Sequence, residues 1–196
     1  MTSKGRRQPG STPYHGPRGQ VLGTPYLGGQ PALTAAMSAP PGRSPPGGSP
    51  GAGPAAEALV RAVLDAARPE PGQAVLELYS GAGLLSLPLA RAVGEDGRVV
   101  TLEGSATAVK DARRNLHDHP NVALGTGLVR PKTVREGGAG CDVVVLDPPR
   151  AGAGTKVMRA ITELAPARIV HVACDPAALA RDLAAARDGG LRRHGR

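Results

Sequence analysis

Ala74-Val75-Leu76-Glu77-Leu78-Tyr79-Ser80-Gly81-Ala82-Gly83 is a short apolar run that ends in a glycine-rich turn. The six residues Ala74 to Tyr79, apolar apart from Glu77, suit a strand buried on both faces. The turn is followed by Leu84 to Val93, whose spacing predicts a helix with Pro88 in or near its first turn. Strand, glycine turn and helix in that order form the opening unit of a doubly wound sheet, and such sheets bind ligands at the carboxyl ends of their strands.

The same alternation runs outward on both sides. Before it, residues 55–64 carry apolar side chains at helical spacing, and Arg68-Pro69 closes that helix. After it, a strand is expected at 98–103 and a helix at 107–117, then a poorly marked strand near 121–125 and a weak helix. Strands at 142–147 and 168–174 follow, with helices at about 154–164 and 176–187. The pattern predicts an α/β fold: a Rossmann-like, doubly wound and mainly parallel sheet of about five strands.

Composition divides the chain into two. From Met1 to Ala56 there is no acidic residue, and Gly and Pro crowd the stretch Pro40-Pro41-Gly42-Arg43-Ser44-Pro45-Pro46-Gly47-Gly48. Such a segment cannot bury enough apolar surface to offset its chain entropy, so residues 1–53 are expected to be a disordered basic head. Residues 54–196, about 140 of them, suit one domain. The net charge of +8 points to a polyanion such as RNA, although Lys4, Arg6, Arg7, Arg18 and Arg43 of the head supply five of those charges.

Other classes are excluded. With Phe and Trp absent and only Tyr14, Tyr26 and Tyr79 aromatic, a base-stacking platform is not available. No apolar run nears the ~20 residues of a membrane span, and no apolar region follows the N-terminal charges as a signal peptide requires. Two cysteines, Cys141 and Cys174, make neither a disulfide framework nor a four-cysteine metal site. A reducing cytoplasm is expected, with no metal and no membrane partner. Nothing in the sequence marks an oligomeric state.

Glycines at 81 and 83 let a ligand approach the backbone, and Glu103, about 20 residues on and ending the next strand, is placed to accept from ribose hydroxyls. A dinucleotide and S-adenosylmethionine both fit that far. The dinucleotide fingerprint wants a third glycine where Ser86 stands, and Glu77 suits a cationic methionine better than a pyrophosphate. The balance favours S-adenosylmethionine. At the end of the fourth predicted strand, Asp147-Pro148-Pro149-Arg150 forms a stiff loop. It carries Arg150 where exocyclic-amine methyltransferases place a stacking aromatic. In Cys174-Asp175-Pro176, Asp175 can cap a helix and Pro176 can start it. That places Cys174 beside a helix N-terminus, where a thiol can be activated. A cysteine after a buried strand is more often a packed small hydrophobe, the reading adopted for Cys141.

Three stretches carry a family resemblance. Val75 to Gly83, Leu146-Asp147-Pro148-Pro149-Arg150-Ala151-Gly152, and Val172-Ala173-Cys174-Asp175-Pro176-Ala177-Ala178-Leu179-Ala180-Arg181-Asp182 occur in the order and spacing of the RNA uracil-C5 methyltransferases. That family makes 5-methyluridine in tRNA and rRNA, and the resemblance covers about Pro54 to Gly190. It implies S-adenosylmethionine held by Glu77, Tyr79, Gly81, Gly83, Glu103 and Asp147. It also implies Cys174 as the nucleophile adding to uracil C6, Asp147 orienting the base, and Pro148 and Arg150 on the substrate side.

There are departures. The family's general-base Glu lies in a segment past the cysteine helix, whereas this sequence runs to Arg196 without it. The domain is therefore expected to be incomplete at its C-terminus, with exposed sheet edges, and to stop at a Cys174–uracil adduct. The upstream RNA-binding barrel is replaced by the Gly/Pro-rich head. Gly125-Thr126-Gly127 stands where an acidic residue usually meets adenine. Two alternatives stay open. One is a non-catalytic fragment, truncated or frame-shifted. The other is an RNA cytosine-C5 methyltransferase, whose usual Pro-Cys pair is Ala173-Cys174 here.

Overall fold

The computed structural model describes residues 21–22, 32–37 and 54–189. Its elements are β1 (Val21–Leu22), β2 (Ala32–Met37), α1 (Pro54–Ala67), β3 (Ala74–Leu78), α2 (Ser86–Val93), β4 (Arg98–Glu103), α3 (Ala106–Asn115), β5 (Val122–Thr126), α4 (Pro131–Gly137), β6 (Val143–Leu146), α5 (Thr155–Glu163), β7 (Arg168–Ala173) and α6 (Pro176–Asp188). They form one sheet in the order β1-β2-β7-β6-β3-β4-β5, parallel except for the β1–β2 pair. The five expected strands are all present as an α/β Rossmann-like sheet. The two weakly marked elements are the edge strand β5 and the short helix α4.

Three strands stop one residue earlier than the apolar runs indicate, and that residue is in each case a site candidate. Tyr79, Asp147 and Cys174 follow β3, β6 and β7 directly. At Tyr79 the cause is visible: its φ of +62° is incompatible with a continuing strand.

Beyond the five expected strands, β1 and β2 from the Gly/Pro-rich head extend the sheet to seven among the described residues. The reason is the outer edge of β7, whose backbone groups would otherwise lack a sheet partner. β2 fills it in parallel register, from Ala32 beside Arg168 to Met37 beside Ala173. The edge beside the cysteine strand is thus covered, where an open one was expected. The rest of the expected disordered head, and residues 190–196, lie outside the described residues.

Strand side chains split into two cores. Val75, Val99, Val143, Val145, Val170 and Val172 pack with Val63 of α1 and Leu89 and Val93 of α2. On the opposite face Leu76, Leu78, Leu146 and Ile169 pack with Val134 of α4, Met158 and Ile161 of α5, and Ala185 and Ala186 of α6. The chain winds outward from β3 through β4 to β5, then returns to lay β6 on the other side of β3. The winding direction therefore reverses between β3 and β6, and a crevice opens there at the carboxyl ends.

Leu76, fully buried in the second core, tests this packing. Leu76→Ala should cost about 2–5 kcal/mol, read as a lowered denaturant midpoint. Leu128→Ala, at a side chain 59% exposed, should stay within about 0.5 kcal/mol of the parent. Equal effects would mean that the core is not where the structure places it.

Candidate functional site

The crevice has a cofactor-like side, built from the β3–α2 turn. Tyr79, Gly81 and Gly83 all have positive φ, at 62°, 55° and 93°. Repeated left-handed residues curl the backbone into a cradle, and at Gly83 a side chain would also have to displace Leu116. A Cβ there would lie 2.9 Å from Leu116 Cδ1. The cradle is pinned on three sides. Tyr79 N–H donates to the Leu102 carbonyl at 2.8 Å, Gly83 N–H to the Ser80 carbonyl at 3.0 Å, and Asn115 Nδ2 to the Ala82 carbonyl at 2.9 Å.

Glu103 closes the cradle from β4. Its Oε2 accepts from Gly81 N–H at 2.9 Å and its Oε1 from Ser105 N–H at 2.7 Å. A carboxylate has about four lone-pair sites, so two remain for hydroxyl donors. Ser80 supplies a further sign of a ligand position: its Oγ is buried with no partner among the described residues. Such groups are uncommon in folded proteins. An orphaned hydroxyl, exposed lone pairs on Glu103 and a glycine cradle suit a ligand bearing both hydroxyls and polar acceptors, as S-adenosylmethionine does.

The substrate-like side joins two neighbouring strand ends. β6 and β7 pair as far as Leu146 beside His171, so Asp147 and Cys174 leave the sheet on adjacent strands. Cys174 is exposed and free, whereas Cys141 is buried and burial pushes its thiol up to about 11. Asp175 caps α6 as expected, its carboxylate accepting from Ala178 N–H at 2.6 Å. In the loop after β6, Pro148 is buried while Asp147, Pro149 and Arg150 are exposed. Partial desolvation raises the Asp147 carboxyl above the usual aspartate value, against the pull of His171.

Four residues of this region were not legible as site elements. Ser86 donates to Glu77 at 2.5 Å, Asn115 holds Ala82, and His171 donates through Nε2 to Asp182 at 2.9 Å. The signal for the last pair was available. His171 stands in a continuous apolar strand, and a buried polar side chain there demands a partner.

Residues 53–171 match the family model described as methyltransferase small domain. The chain belongs to that family. An uncharacterized RNA methyltransferase of Streptomyces coelicolor is 46% identical to it over 138 residues, 70% of this chain and 30% of the relative. The 23S rRNA (uracil(1939)-C(5))-methyltransferase RlmD of Psychrobacter arcticus is 41% identical over 126 residues, 62% of this chain and 24% of the relative. This methyltransferase small domain thus spans a third or less of the relatives it matches. In fold it is similar to a precorrin 8w decarboxylase of Methanobacterium thermoautotrophicum, with a TM-score of 0.60 at 20% identity over 69% of this chain and 72% of that one. Among the described residues no helix is long and apolar enough to cross a membrane.

Glu77 is the most perturbed group of the methyltransferase domain. It is 2% exposed, and its pKa is raised to about 8, first by burial, then by Asp147, with the Ser86 hydrogen bond opposing. Burial wins because one neutral hydroxyl replaces only part of the lost water. Thr101, its register neighbour on β4, carries another buried hydroxyl without a partner among the described residues. Between the ordinary value of 4.5 and about 8, the folded domain keeps a proton that the unfolded chain releases. Glu77 therefore makes stability fall as pH rises through that window. Glu77→Gln should flatten the decline in melting temperature between about pH 5 and about pH 8. Parallel profiles for the two proteins would show that Glu77 is ionised throughout.

Proposed function

We propose that this domain methylates C5 of uracil in RNA, with S-adenosylmethionine as methyl donor and Cys174 as the covalent nucleophile. The observation that carries the reading is an exposed thiol leaving β7 on the strand adjacent to Asp147, one strand further from the glycine cradle. The RlmD relative, named for uracil C5 of 23S rRNA, supports ribosomal RNA as the substrate class.

Glu103 would hold the cofactor ribose, Gly81 and Gly83 would admit its backbone-facing edge, and Glu77 and Asp147 would face its cationic methionine end. When bound, the cofactor supplies a methyl group made electrophilic by its sulfonium. Uracil C5 is too weak a nucleophile to take that methyl unaided. The sulfur of Cys174, exposed at the end of β7, adds to C6 as its proton passes to solvent. The C5–C6 electron pair is then delocalised through C5 onto the C4 oxygen, which makes C5 nucleophilic. Asp147 orients the base by hydrogen bonding, and Arg150, exposed on the same loop, meets RNA phosphate. After methylation, loss of the C5 proton restores the C5–C6 double bond and expels the thiolate. We assign that proton's removal to no residue of this chain, so the test reads the covalent step.

RNA containing 5-fluorouridine traps the covalent state, because fluorine cannot leave C5 as a cation. Incubation with that RNA and S-adenosylmethionine should yield an adduct by mass spectrometry, absent in Cys174→Ala. Calorimetric titration should show S-adenosylmethionine binding, weakened about tenfold or more in Glu103→Ala through loss of hydrogen bonds to a charged group. A folded parent that binds the cofactor and forms no adduct would overturn the covalent reading. A folded parent that gives no binding heat would overturn the cofactor reading.

A further inference from the structure

Asp182 lies in the second turn of α6, away from every strand end, yet it is 2% exposed and fully engaged. Its Oδ2 accepts from Ala153 N–H at 2.7 Å and from His171 Nε2 at 2.9 Å, and its Oδ1 accepts from Gly154 N–H at 2.9 Å. Burial pushes this carboxyl up, but His171 and the two amides prevail and hold it below the usual aspartate range. The 147–154 loop is shaped to fit it. Gly152 and Gly154 have φ of +86° and +84°, and a Cβ on Gly152 would come within 2.7 Å of the Asp182 carboxylate.

The connections made by this one side chain define its role. Ala153 and Gly154 end the loop that begins at Asp147 and leads into α5. His171 is three residues before Cys174 on β7. α6, which carries Asp182, starts at Pro176 behind the Asp175 cap. The His171 ring has oxygen acceptors at both ends, Asp182 on Nε2 and the Val172 carbonyl 2.9 Å from Nδ1. The two backbone amides and the imidazole converge on a carboxylate shut off from water, where hydrogen bonds to charge are strong and directional.

We propose that Asp182, paired with His171, is a positioning residue that locks the Asp147–Arg150 loop to the Cys174 turn and so sets the substrate side of the site. The ribose end of the cofactor is set separately by Glu103, on the far side of β3. This rests on the uracil reading for its chemistry, while the clamp itself can be measured without it. Asp182 touches no reacting atom. It acts through the loop and the strand it joins.

The test compares the parent with Asp182→Asn, His171→Phe and His171→Gln in three measurements: adduct formation with 5-fluorouridine RNA, S-adenosylmethionine affinity, and amide hydrogen exchange at Ala153 and Gly154. Asp182→Asn and His171→Phe should slow adduct formation on the order of a hundredfold, as misplacement of reacting groups does. Cofactor affinity should change by less than about twofold, while exchange at the two amides rises about tenfold for the hydrogen bonding lost. His171→Gln, which keeps a donor, should recover most of the rate. An unchanged adduct rate, or cofactor affinity falling in step with the rate, overturns the positioning role. Should Asp182→Asn not fold, His171→Phe carries the same readouts. If the parent forms no adduct, the uracil reading has failed and exchange alone decides. In that case still-protected amides in the variants overturn the clamp, and loosened ones uphold it.

Discussion

The parallel pairing of β3 with β6 governs the rest of this molecule. Val75 to Leu78 lie in register with Val143 to Leu146, and all eight residues except Glu77 are apolar. The pairing brings together two halves of the chain that wind in opposite directions, so helices cannot cover the gap above it. One fully buried carboxyl therefore sits where, among the described residues, the connections from β3 and to β6 diverge. Every candidate residue is then a matter of how far it stands from this seam. The glycine cradle and Asp147 flank it, Glu103 lies one strand to one side, and Cys174 one strand to the other.

Two carboxylates fasten these two sides in the same manner. Glu103 accepts two backbone amides, from Gly81 and Ser105, and Asp182 accepts two amides and an imidazole. In both cases an anion is spent on holding a loop whose glycines turn their N–H groups inward. Loops fastened this way keep their shape before a ligand arrives, which lowers the ordering cost of binding. The difference is exposure. Glu103 remains half-buried, with lone pairs still open to a ligand, while Asp182 is closed off and can only support.

The legibility of the structure follows the same division. Buried parallel strands such as Val143–Leu146 are written in the sequence as continuous apolar runs, so β3, β4, β6 and β7 could be read directly, while the half-exposed edge strand β5 was only weakly marked. The cap at Asp175 could be read too, because a short side chain before a proline has a local mechanism. The placement of Glu103, Asp147 and Cys174 at strand ends could be read in the same way, their roles being those proposed above. What local pattern cannot express is a partnership across 11 residues, as between His171 and Asp182, or across 33, as between Asn115 and Ala82. Asp182 reads in sequence as a polar residue on a helix, and only the folded chain shows that it faces inward. The edge strand β2 was hidden for the opposite reason. Its Ala-rich stretch has little packing signal of its own and acquires its conformation from the unpaired backbone of β7.

The electrostatics of the seam bear on how the two sides are coupled. Glu77 and Asp147 are both raised above their ordinary values, chiefly by burial, and each stands at the carboxyl end of one of the paired strands. Glu77 is further raised by Asp147, so the charge on one opposes the charge on the other. A protein with a net charge of +8 thus sets two carboxyls side by side at the seam, Glu77 buried and Asp147 exposed. On the proposed reading, a sulfonium and an ammonium would be the missing countercharge. Cofactor binding would then draw a proton from Glu77, and Asp147 would be left ionised and able to accept from the N–H edge of a uracil ring. The seam that divides the two windings of the sheet would in this way also couple cofactor charge to substrate recognition, by Coulomb attraction and without movement of the backbone.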